Sequence, residues 1–171
     1  TRGNGNTFLL DYQEILKPWG RTDLPKNFHV RGNGAVGEIV FKNLTKDNKL
    51  LVKYLFVKTN LSVQVHPRPI LRGGLKKNLN KDECWLIIDA GAGAQVALGL
   101  KEAYSKAKLR QAVLDGSIAH LLDWRDVESG DMFYIPGGTI HSIRGELILM
   151  EIQENVDITY RLFDFNRDRL L

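Results

Sequence analysis

The sequence predicts a mainly β protein, an antiparallel sandwich or barrel with one or two short helices. From residue 36 onward, apolar and polar residues alternate in short runs, as in strands that bury one face. Turn-forming Asn, Asp, Gly and Lys residues separate these runs at regular intervals. Only one segment has the composition of a good helix. Many short strands at even spacing are typical of a sandwich or a closed barrel.

The N-terminal part of the chain has little periodicity. Residues 1–35 are rich in Gly, Asn and Asp, with one short apolar piece at residues 7–10. We therefore predict loops and one short strand, which together form a segment that wraps the domain. The run Lys17-Pro-Trp-Gly20 predicts a rigid corner, and its tryptophan is expected to cover the core.

The rest of the chain reads as strands interrupted by one helical insertion. Five strands are predicted at residues 38–41, 50–58, 61–66, 83–89 and 95–100. A helix over 101–114, ended by Asp115-Gly116, forms an insertion that spans 101–116. Strands then resume at Met132, Ile140, Glu146 and Asp157. Because there is no internal repeat and no low-complexity linker, we interpret residues 1–171 as a single domain.

Composition and charge exclude several classes of protein. No apolar run approaches the roughly 20 residues of a membrane helix, and no signal-peptide pattern opens the chain. The only cysteine, Cys84, excludes an internal disulfide and favours a reducing compartment, so we expect a cytoplasmic protein without a membrane partner. The net charge of +4 is dispersed, and the basic run at 101–110 predicts a solvated helix face rather than a nucleic-acid site. A G-x-G-x-x-G match at 32–37 leads into a strand instead of opening a helix, so no dinucleotide cofactor is predicted.

The stretch from Gly130 to His141 carries the first candidate functional residue. It reads as a turn, a short apolar strand, a corner at Pro136-Gly-Gly138, and a second strand that begins near a histidine. A corner of this kind holds His141 rigidly, as a metal ligand or a catalytic base requires. By itself, the pattern leaves open whether His141 is a ligand, a base or a histidine of the core.

Two upstream segments add further donors. Gln64 and His66 lie two residues apart on a predicted strand, so their side chains share one face, while the flanking valines take the other. Glu83 opens a later apolar strand. With His141, these residues offer two imidazoles, one carboxylate and one amide oxygen. This donor set suits Zn²⁺, or Fe²⁺ in a two-His-one-carboxylate arrangement, with open positions for water or substrate.

The same segments resemble a known family. The spacing from Gly130 to His141 resembles the second cupin motif, and Gln64-x-His66 with a later Glu83 resembles the first, with glutamine in place of its usual first histidine. Four segments and the Lys17-Pro-Trp-Gly20 run are similar, in order, to the type I mannose-6-phosphate isomerases. The four segments are Leu61-Ser-Val-Gln-Val-His-Pro67, Lys81-Asp-Glu-Cys-Trp85, Ile135-Pro-Gly-Gly-Thr-Ile-His141 and Glu151-Ile-Gln-Glu-Asn-Val-Asp-Ile-Thr-Tyr-Arg161.

The resemblance implies a cupin-type barrel or jelly roll and a zinc-dependent intramolecular oxidoreductase that interconverts mannose 6-phosphate and fructose 6-phosphate. The metal ligands that it implies are Gln64, His66, Glu83 and His141. The active-site residues that it implies are Lys81, Arg161 and, as a weaker candidate, Glu151. The group that moves the proton stays open among Glu151, a metal-bound water and Lys81.

The chain also departs from the family pattern, which leaves other functions to consider. Arg68-Pro69 follows the His-Pro step where the family usually has acidic residues, and Val156 replaces a serine. The sequence ends ten residues after Arg161. The wall of the substrate cleft is therefore expected either to lack a part or to be completed by the partner subunit of a homodimer. The alternatives are another metal-binding cupin, such as a non-haem iron dioxygenase, or a non-catalytic sugar-phosphate-binding protein.

Overall fold

The computed structural model of the chain describes residues 9–28, 30–42, 48–72, 75–77 and 79–167. Nearly all of the regular elements that these residues form are strands, and two short helices lie between the eighth and ninth strands. The predicted mainly β class is confirmed. The elements are β1 (Tyr12–Arg21), β2 (Val36–Phe41), β3 (Leu50–Val57), β4 (Val63–Val65), β5 (Ile70–Arg72), β6 (Leu75–Lys77), β7 (Glu83–Ala90), β8 (Gln95–Leu100), α1 (Lys106–Leu114), α2 (Ile118–Leu121), β9 (Leu122–Asp126), β10 (Met132–Ile135), β11 (His141–Arg144), β12 (Leu147–Glu154) and β13 (Tyr160–Phe163).

Two antiparallel sheets enclose the main core. The larger sheet has the order β1-β2-β3-β12-β7-β10, and the smaller one has the order β13-β4-β11-β8-β9. Strands β5 and β6 pair antiparallel in a separate two-stranded sheet. Side chains from the inner faces of both sheets pack together, as in a β-sandwich. The buried members of this core are Trp19, Leu55, Val57, Leu61, Trp85, Ile87, Ala94, Val96, Ile135, Ile143, Leu147 and Leu149.

Each sheet is also covered on its outer face. The two helices pack against the smaller sheet, where Ala112 and Ile118 contact the outward-facing Val63 and Ala97. A loop from the N-terminal part covers the larger sheet, where Phe28 packs against Phe56 and other aromatic side chains. Among the described residues, neither helix is long and apolar enough to cross a membrane.

The inner face of the larger sheet changes from apolar to polar toward one end. Along β7 the inward-facing residues are Glu83, Trp85 and Ile87, because successive side chains alternate between the two faces. On the neighbouring strand β12, Leu149 and then Glu151 face the same way. The apolar core therefore ends at Trp85, and ionisable side chains gather beyond it.

The prediction for the N-terminal part was wrong in its details. Tyr12–Arg21, interpreted as loop and corner, is the longest strand of the larger sheet, whereas Leu9 and Leu10 belong to no element. Residues 7 and 8 of the predicted strand lie outside the described part of the chain. The sheet tolerates Pro18 because β1 is an edge strand, where a missing N–H breaks no inner ladder, and its pairing with β2 is irregular between Leu16 and Arg21.

The other boundaries differ by a few residues. The helix predicted from residue 101 begins at Lys106, because the Ser105 hydroxyl caps it by accepting the Lys108 N–H at 3.2 Å. The strand predicted from Asp157 begins at Tyr160. Strands β5, β6 and β9 were not predicted. The last of these has the sequence Leu-Asp-Trp-Arg-Asp, in which alternation is too brief to read from the sequence.

Candidate metal centre

Three of the predicted ligands meet at the polar end of the core. His66 follows β4, Glu83 begins β7 and His141 begins β11, and one donor atom from each lies within 4.8 Å of the other two. His66 Nε2 is 3.0 Å from Glu83 Oε1, and His141 Nε2 is 3.7 Å from Glu83 Oε2. His141 pairs directly with Gln64 in the ladder between β11 and β4, which brings the two motifs together.

Backbone carbonyl groups orient both imidazole rings. His66 Nδ1 lies 3.0 Å from the Ile158 carbonyl oxygen, and His141 Nδ1 lies 2.9 Å from the Thr139 carbonyl oxygen. Each Nδ1–H therefore donates outward, and each Nε2 points toward Glu83. This arrangement of ring and carbonyl is typical of histidine ligands in metal sites, since it sets the tautomer and the ring plane.

The donor set fits a divalent cation. All three side chains are buried, and Glu83 and His141 are only 2% and 1% exposed. Glu83 Oε2 accepts no hydrogen bond from any described residue. An unprotonated Nε2 at 3.0 Å from a carboxylate oxygen is repelled unless a proton or a metal ion lies between them. Two imidazoles and one carboxylate are ordinary ligands of Zn²⁺ and of other divalent transition metals.

The ionisation of Glu83 and His141 favours the same conclusion. Burial alone would raise the pKa of Glu83, but the hydrogen bond from His66 and the charges of His141, His66 and Lys81 outweigh it and hold this pKa well below its usual range. Burial lowers the pKa of His141 to about 4, against the opposing charge of Glu83. Glu83 is thus a carboxylate and His141 a neutral imidazole near pH 7, the forms that bind metal.

Gln64, the fourth predicted ligand, lies beside the other three. Its Nε2 is 3.3 Å from His141 Nε2, and its Oε1 is 3.5 Å from the Ser62 hydroxyl. A metal would take the amide oxygen rather than the nitrogen. Ligation by Gln64 therefore requires a rotation of its amide group by about 180°, which exchanges the positions of the oxygen and the nitrogen.

Lys81 is buried against the same cluster. Its Nζ is 3.1 Å from Glu83 Oε1 and 3.4 Å from each nitrogen of the His66 ring. The side chain is only 6% exposed, which is rare for a lysine and is compensated here by the carboxylate. Lys81 and Glu83 point inward together, because they are two residues apart along one extended segment.

A cavity of about 430 Å³ opens beside the cluster. Its volume is in the range of sites for small molecules. Gln64, His66, Lys81 and Glu83 line it, together with Glu151 and the exposed Arg161 from β13. Arg161 is paired with Gln64 in the ladder between β13 and β4. Five of the cavity's neutral lining residues are polar: Ser62, Gln64, Gln153, Asn155 and Thr159.

One wall of the cavity is a row of alternating charges across the larger sheet. Lys17 Nζ lies 3.2 Å from Glu38 Oε1, and Lys53 Nζ lies 4.0 Å from Glu38 Oε2 and 2.9 Å from Glu151 Oε1. The row ends where Trp85 Nε1 donates to Glu151 Oε2 at 2.8 Å. The Trp85 ring then packs edge-on against His141, with centroids 5.5 Å apart.

Sequence reasoning missed Lys53 and Glu38. A signal was present, since Lys53 lies in the middle of the apolar run Leu-Leu-Val-Lys-Tyr-Leu-Phe, on the face that its neighbour Leu55 buries. A charged side chain on that face needs a partner inside the protein. The partner, Glu151, lies directly opposite in the ladder between β12 and β3, 98 residues away in the sequence.

Comparisons with known proteins identify the family. No protein-family model matches the chain. The mannose-6-phosphate isomerase of Streptococcus mutans is 43% identical over 118 residues, which cover 69% of this chain and 37% of that protein. A mannose-6-phosphate isomerase of Bacillus subtilis is 40% identical over 120 residues, with 69% and 38% covered. The chain belongs to the mannose-6-phosphate isomerase family.

Solved structures agree with this membership. The crystal structure of mannose 6-phosphate isomerase from Bacillus subtilis matches with a TM-score of 0.77 and 27% identity, covering 92% of this chain and 61% of that one. Phosphomannose isomerase from Salmonella typhimurium matches with a TM-score of 0.63 over 95% and 70% of the two chains, and at 12% identity it supports the fold alone. The predicted cupin-type fold and the suspected isomerase family are confirmed. The chain spans a little over a third of the length of the curated family members it matches.

Proposed function

We propose that this chain carries the catalytic centre of a zinc-dependent aldose–ketose isomerase that interconverts mannose 6-phosphate and fructose 6-phosphate. The observation that carries the proposal is the buried group His66, Glu83 and His141 beside a polar cavity, in a chain of this family. The comparisons do not favour the iron dioxygenase or the non-catalytic sugar-phosphate-binding protein. A sugar-phosphate partner and a cytoplasmic location belong to the same proposal.

His66, Glu83 and His141 would hold the metal, with Gln64 as the fourth ligand once its amide oxygen faces them. When bound, a divalent ion supplies Lewis-acid stabilisation of the negative charge that develops on the sugar oxygens. The cavity side of the cluster provides the access that a substrate needs. Ionisable residues of the cavity would transfer the proton and bind the charged groups of the substrate.

Isomerisation moves one proton between C2 of the aldose and C1 of the ketose and a second proton between the oxygens O2 and O1, with no net oxidation. We assign the transfer between the carbons to Glu151, which lines the cavity and is nearly fully buried. Burial raises the pKa of Glu151 against the opposing charge of Lys53, and the negative charge of Glu83 adds to the effect of burial. A carboxyl group with a raised pKa can take a proton from carbon and return it near neutral pH. Trp85 and Lys53 hold its two oxygens in fixed positions.

Lys81 and Arg161 supply positive charge at two different places. Lys81 lies against the metal ligands, where an ammonium group can donate to an oxygen that becomes negative during the reaction. Arg161 is exposed and lines the cavity. We assign it to the phosphate, because a guanidinium group can donate two parallel hydrogen bonds to phosphate oxygens.

A coupled assay from mannose 6-phosphate to fructose 6-phosphate tests the proposal. We expect turnover by the zinc-loaded protein, loss of turnover after treatment with a chelator, and recovery when Zn²⁺ is restored. Recovery on addition of Zn²⁺, after the chelator has been removed, distinguishes loss of zinc from irreversible unfolding. A zinc-loaded, folded protein without turnover would rule out the isomerase assignment.

Arg161→Ala is expected to keep the metal and to lower kcat/KM for mannose 6-phosphate. Loss of a hydrogen-bonded charged group costs about 1.5–3 kcal/mol, which corresponds to roughly a 10- to 100-fold decrease. Metal content is measured on the same preparation. Arg125→Ala is the matched control, since Arg125 is an exposed arginine that pairs with Asp123 on β9, away from the cavity. Loss of metal from the Arg161 variant would show that the assigned role is wrong.

A further inference from the structure

The segments that carry the metal ligands are tied together outside the cavity, around the corner Pro136–Gly138. The Gly138 N–H donates to the His66 carbonyl oxygen at 2.8 Å, and the Lys81 N–H donates to the Pro67 carbonyl oxygen at 3.1 Å. The segments before β5, before β7 and before β11 therefore meet at one point. The first of these segments contains His66, and the other two lead directly into Glu83 and His141.

Asp82 lies at the centre of this junction. Lys81 and Glu83, its neighbours in the sequence, are buried and face the cavity, so the Asp82 side chain faces the opposite way. Its Oδ1 accepts the Gly137 N–H at 2.8 Å, and its Oδ2 accepts the Tyr134 hydroxyl at 2.5 Å. One carboxylate thus binds the corner and the strand that leads into it.

The backbone of Asp82 is fixed as well. Its N–H donates to Glu154 Oε2 at 2.9 Å, and its carbonyl oxygen accepts the Glu154 N–H at 3.0 Å. The same Glu154 oxygen accepts Asn80 Nδ2 at 2.6 Å. The backbone at Asp82 is therefore fixed to the end of β12. This contact limits how far the Asp82 carboxylate can move away from the corner.

The corner itself is close-packed. A side chain at Gly137 would collide with the Pro67 carbonyl oxygen, and Gly138 has a φ of +86°, a conformation that favours glycine. Thr139, the next residue, supplies the carbonyl oxygen that orients His141, and its own N–H donates to the Pro136 carbonyl oxygen. A shift of the corner would move both the backbone and the ring orientation of His141.

We propose that Asp82 is a positioning residue of the metal centre. Its carboxylate holds the Pro136–Gly138 corner in place, and this corner keeps His141 and His66 at the distance from Glu83 that a shared metal ion requires. Asp82 is not among the described residues that line the cavity, so it acts through the ligands and not on the substrate. The ligands come from positions up to 75 residues apart, and holding them together before the metal arrives reduces the entropy lost on binding. Metal affinity should therefore depend on Asp82.

The test is the affinity of the purified protein for Zn²⁺ alone, measured by competition with a chromogenic chelator. For Asp82→Ala we expect a loss of about 10-fold, the lower end of the effect of residues that orient metal ligands. Asp82→Asn keeps an acceptor for the Gly137 N–H, and Tyr134→Phe keeps the whole carboxylate. Both are expected to lie between Asp82→Ala and the wild type.

Asp131→Ala is the matched control. Asp131 precedes β10 at the end remote from the corner, and its carboxylate also accepts a backbone N–H, that of Glu128, at 2.9 Å. We expect both alanine variants to lower the melting temperature and only Asp82→Ala to lower zinc affinity, with all measurements made well below either melting point. Equal losses of affinity in the two variants, or wild-type affinity in Asp82→Ala, would overturn the proposal.

Two further outcomes are informative. If Asp82→Ala does not fold, the milder variants decide, and wild-type zinc affinity in both Asp82→Asn and Tyr134→Phe would count against the role of Asp82. Because zinc affinity is measured without substrate, the inference can stand even if the wild type fails to isomerise mannose 6-phosphate. A wild-type protein that binds no Zn²⁺ would remove both the inference and the zinc-dependent function.

Discussion

Glu83→Ala is expected to abolish both metal binding and turnover. Glu83 is the only carboxylate in the ligand group, and its two oxygens face the Nε2 atoms of His66 and His141. Removing an outer residue that orients a ligand costs about 10- to 100-fold in metal affinity, so loss of a ligand itself should exceed about 100-fold. Zinc content after dialysis and kcat in the coupled isomerase assay measure the two effects.

The same change should also lower the stability of the metal-free protein. Lys81, buried within 3.1 Å of Glu83, would lose its carboxylate partner, and an uncompensated buried charge is strongly unfavourable. Glu146→Ala is the matched control, because Glu146 is half exposed and pairs with Lys58 on the surface. Zinc retained at wild-type stoichiometry in Glu83→Ala, in protein that is folded by circular dichroism, would contradict the assigned metal centre.

Glu151→Gln is expected to lower kcat by about 10²- to 10⁴-fold, the range for loss of a general acid–base group, while zinc content stays unchanged. Glutamine has nearly the same shape and still accepts the Trp85 N–H through its amide oxygen. The change removes the ability to carry a proton to and from carbon, and it also removes the negative charge that pairs with Lys53. The measurement is kcat for mannose 6-phosphate alongside zinc content, with solvent-proton exchange into the sugar as a second readout of the transfer step.

Glu38→Gln is the control for the electrostatic part of this effect. It removes a negative charge from the same row and leaves Glu151 in place, with Lys53 between them. We expect a much smaller decrease in kcat than for Glu151→Gln. Equal decreases would mean that the charge row as a whole, and not proton transfer by Glu151, limits turnover. An active Glu151→Gln enzyme would instead favour Lys81 or a metal-bound water as the transfer group.

Much of the candidate site could be predicted from the sequence. The alternation around Gln64 and His66 and the corner before His141 are local patterns, and the side chains in them are the donor types that a divalent metal requires. Taken alone, Glu83 at the start of an apolar strand is interpreted as a solvated strand end, and only the other donors make it a candidate ligand. In the structure it is buried and faces both histidines.

Other parts of the site could not be predicted from the sequence. Lys53 faces Glu151 only because β3 and β12 pair in one particular register, and the two residues are 98 positions apart. Trp85 meets Glu151 through a second register, that of β12 with β7. A slip of one residue in either ladder would point these side chains to the opposite face of the sheet. The sequence does not state the register.

The mainly β class, most strand positions after residue 36 and the donor types of the candidate metal centre follow from the sequence alone, because these depend on side-chain alternation and turn residues that are neighbours in the chain. The folded structure was needed to show that Tyr12–Arg21 is an edge strand, that a row of charges lines the cavity, and that Asp82 binds the corner before His141. These features depend on which strands pair and in which register. Strand pairing is set by packing between residues far apart in the sequence, and a local pattern carries no record of it.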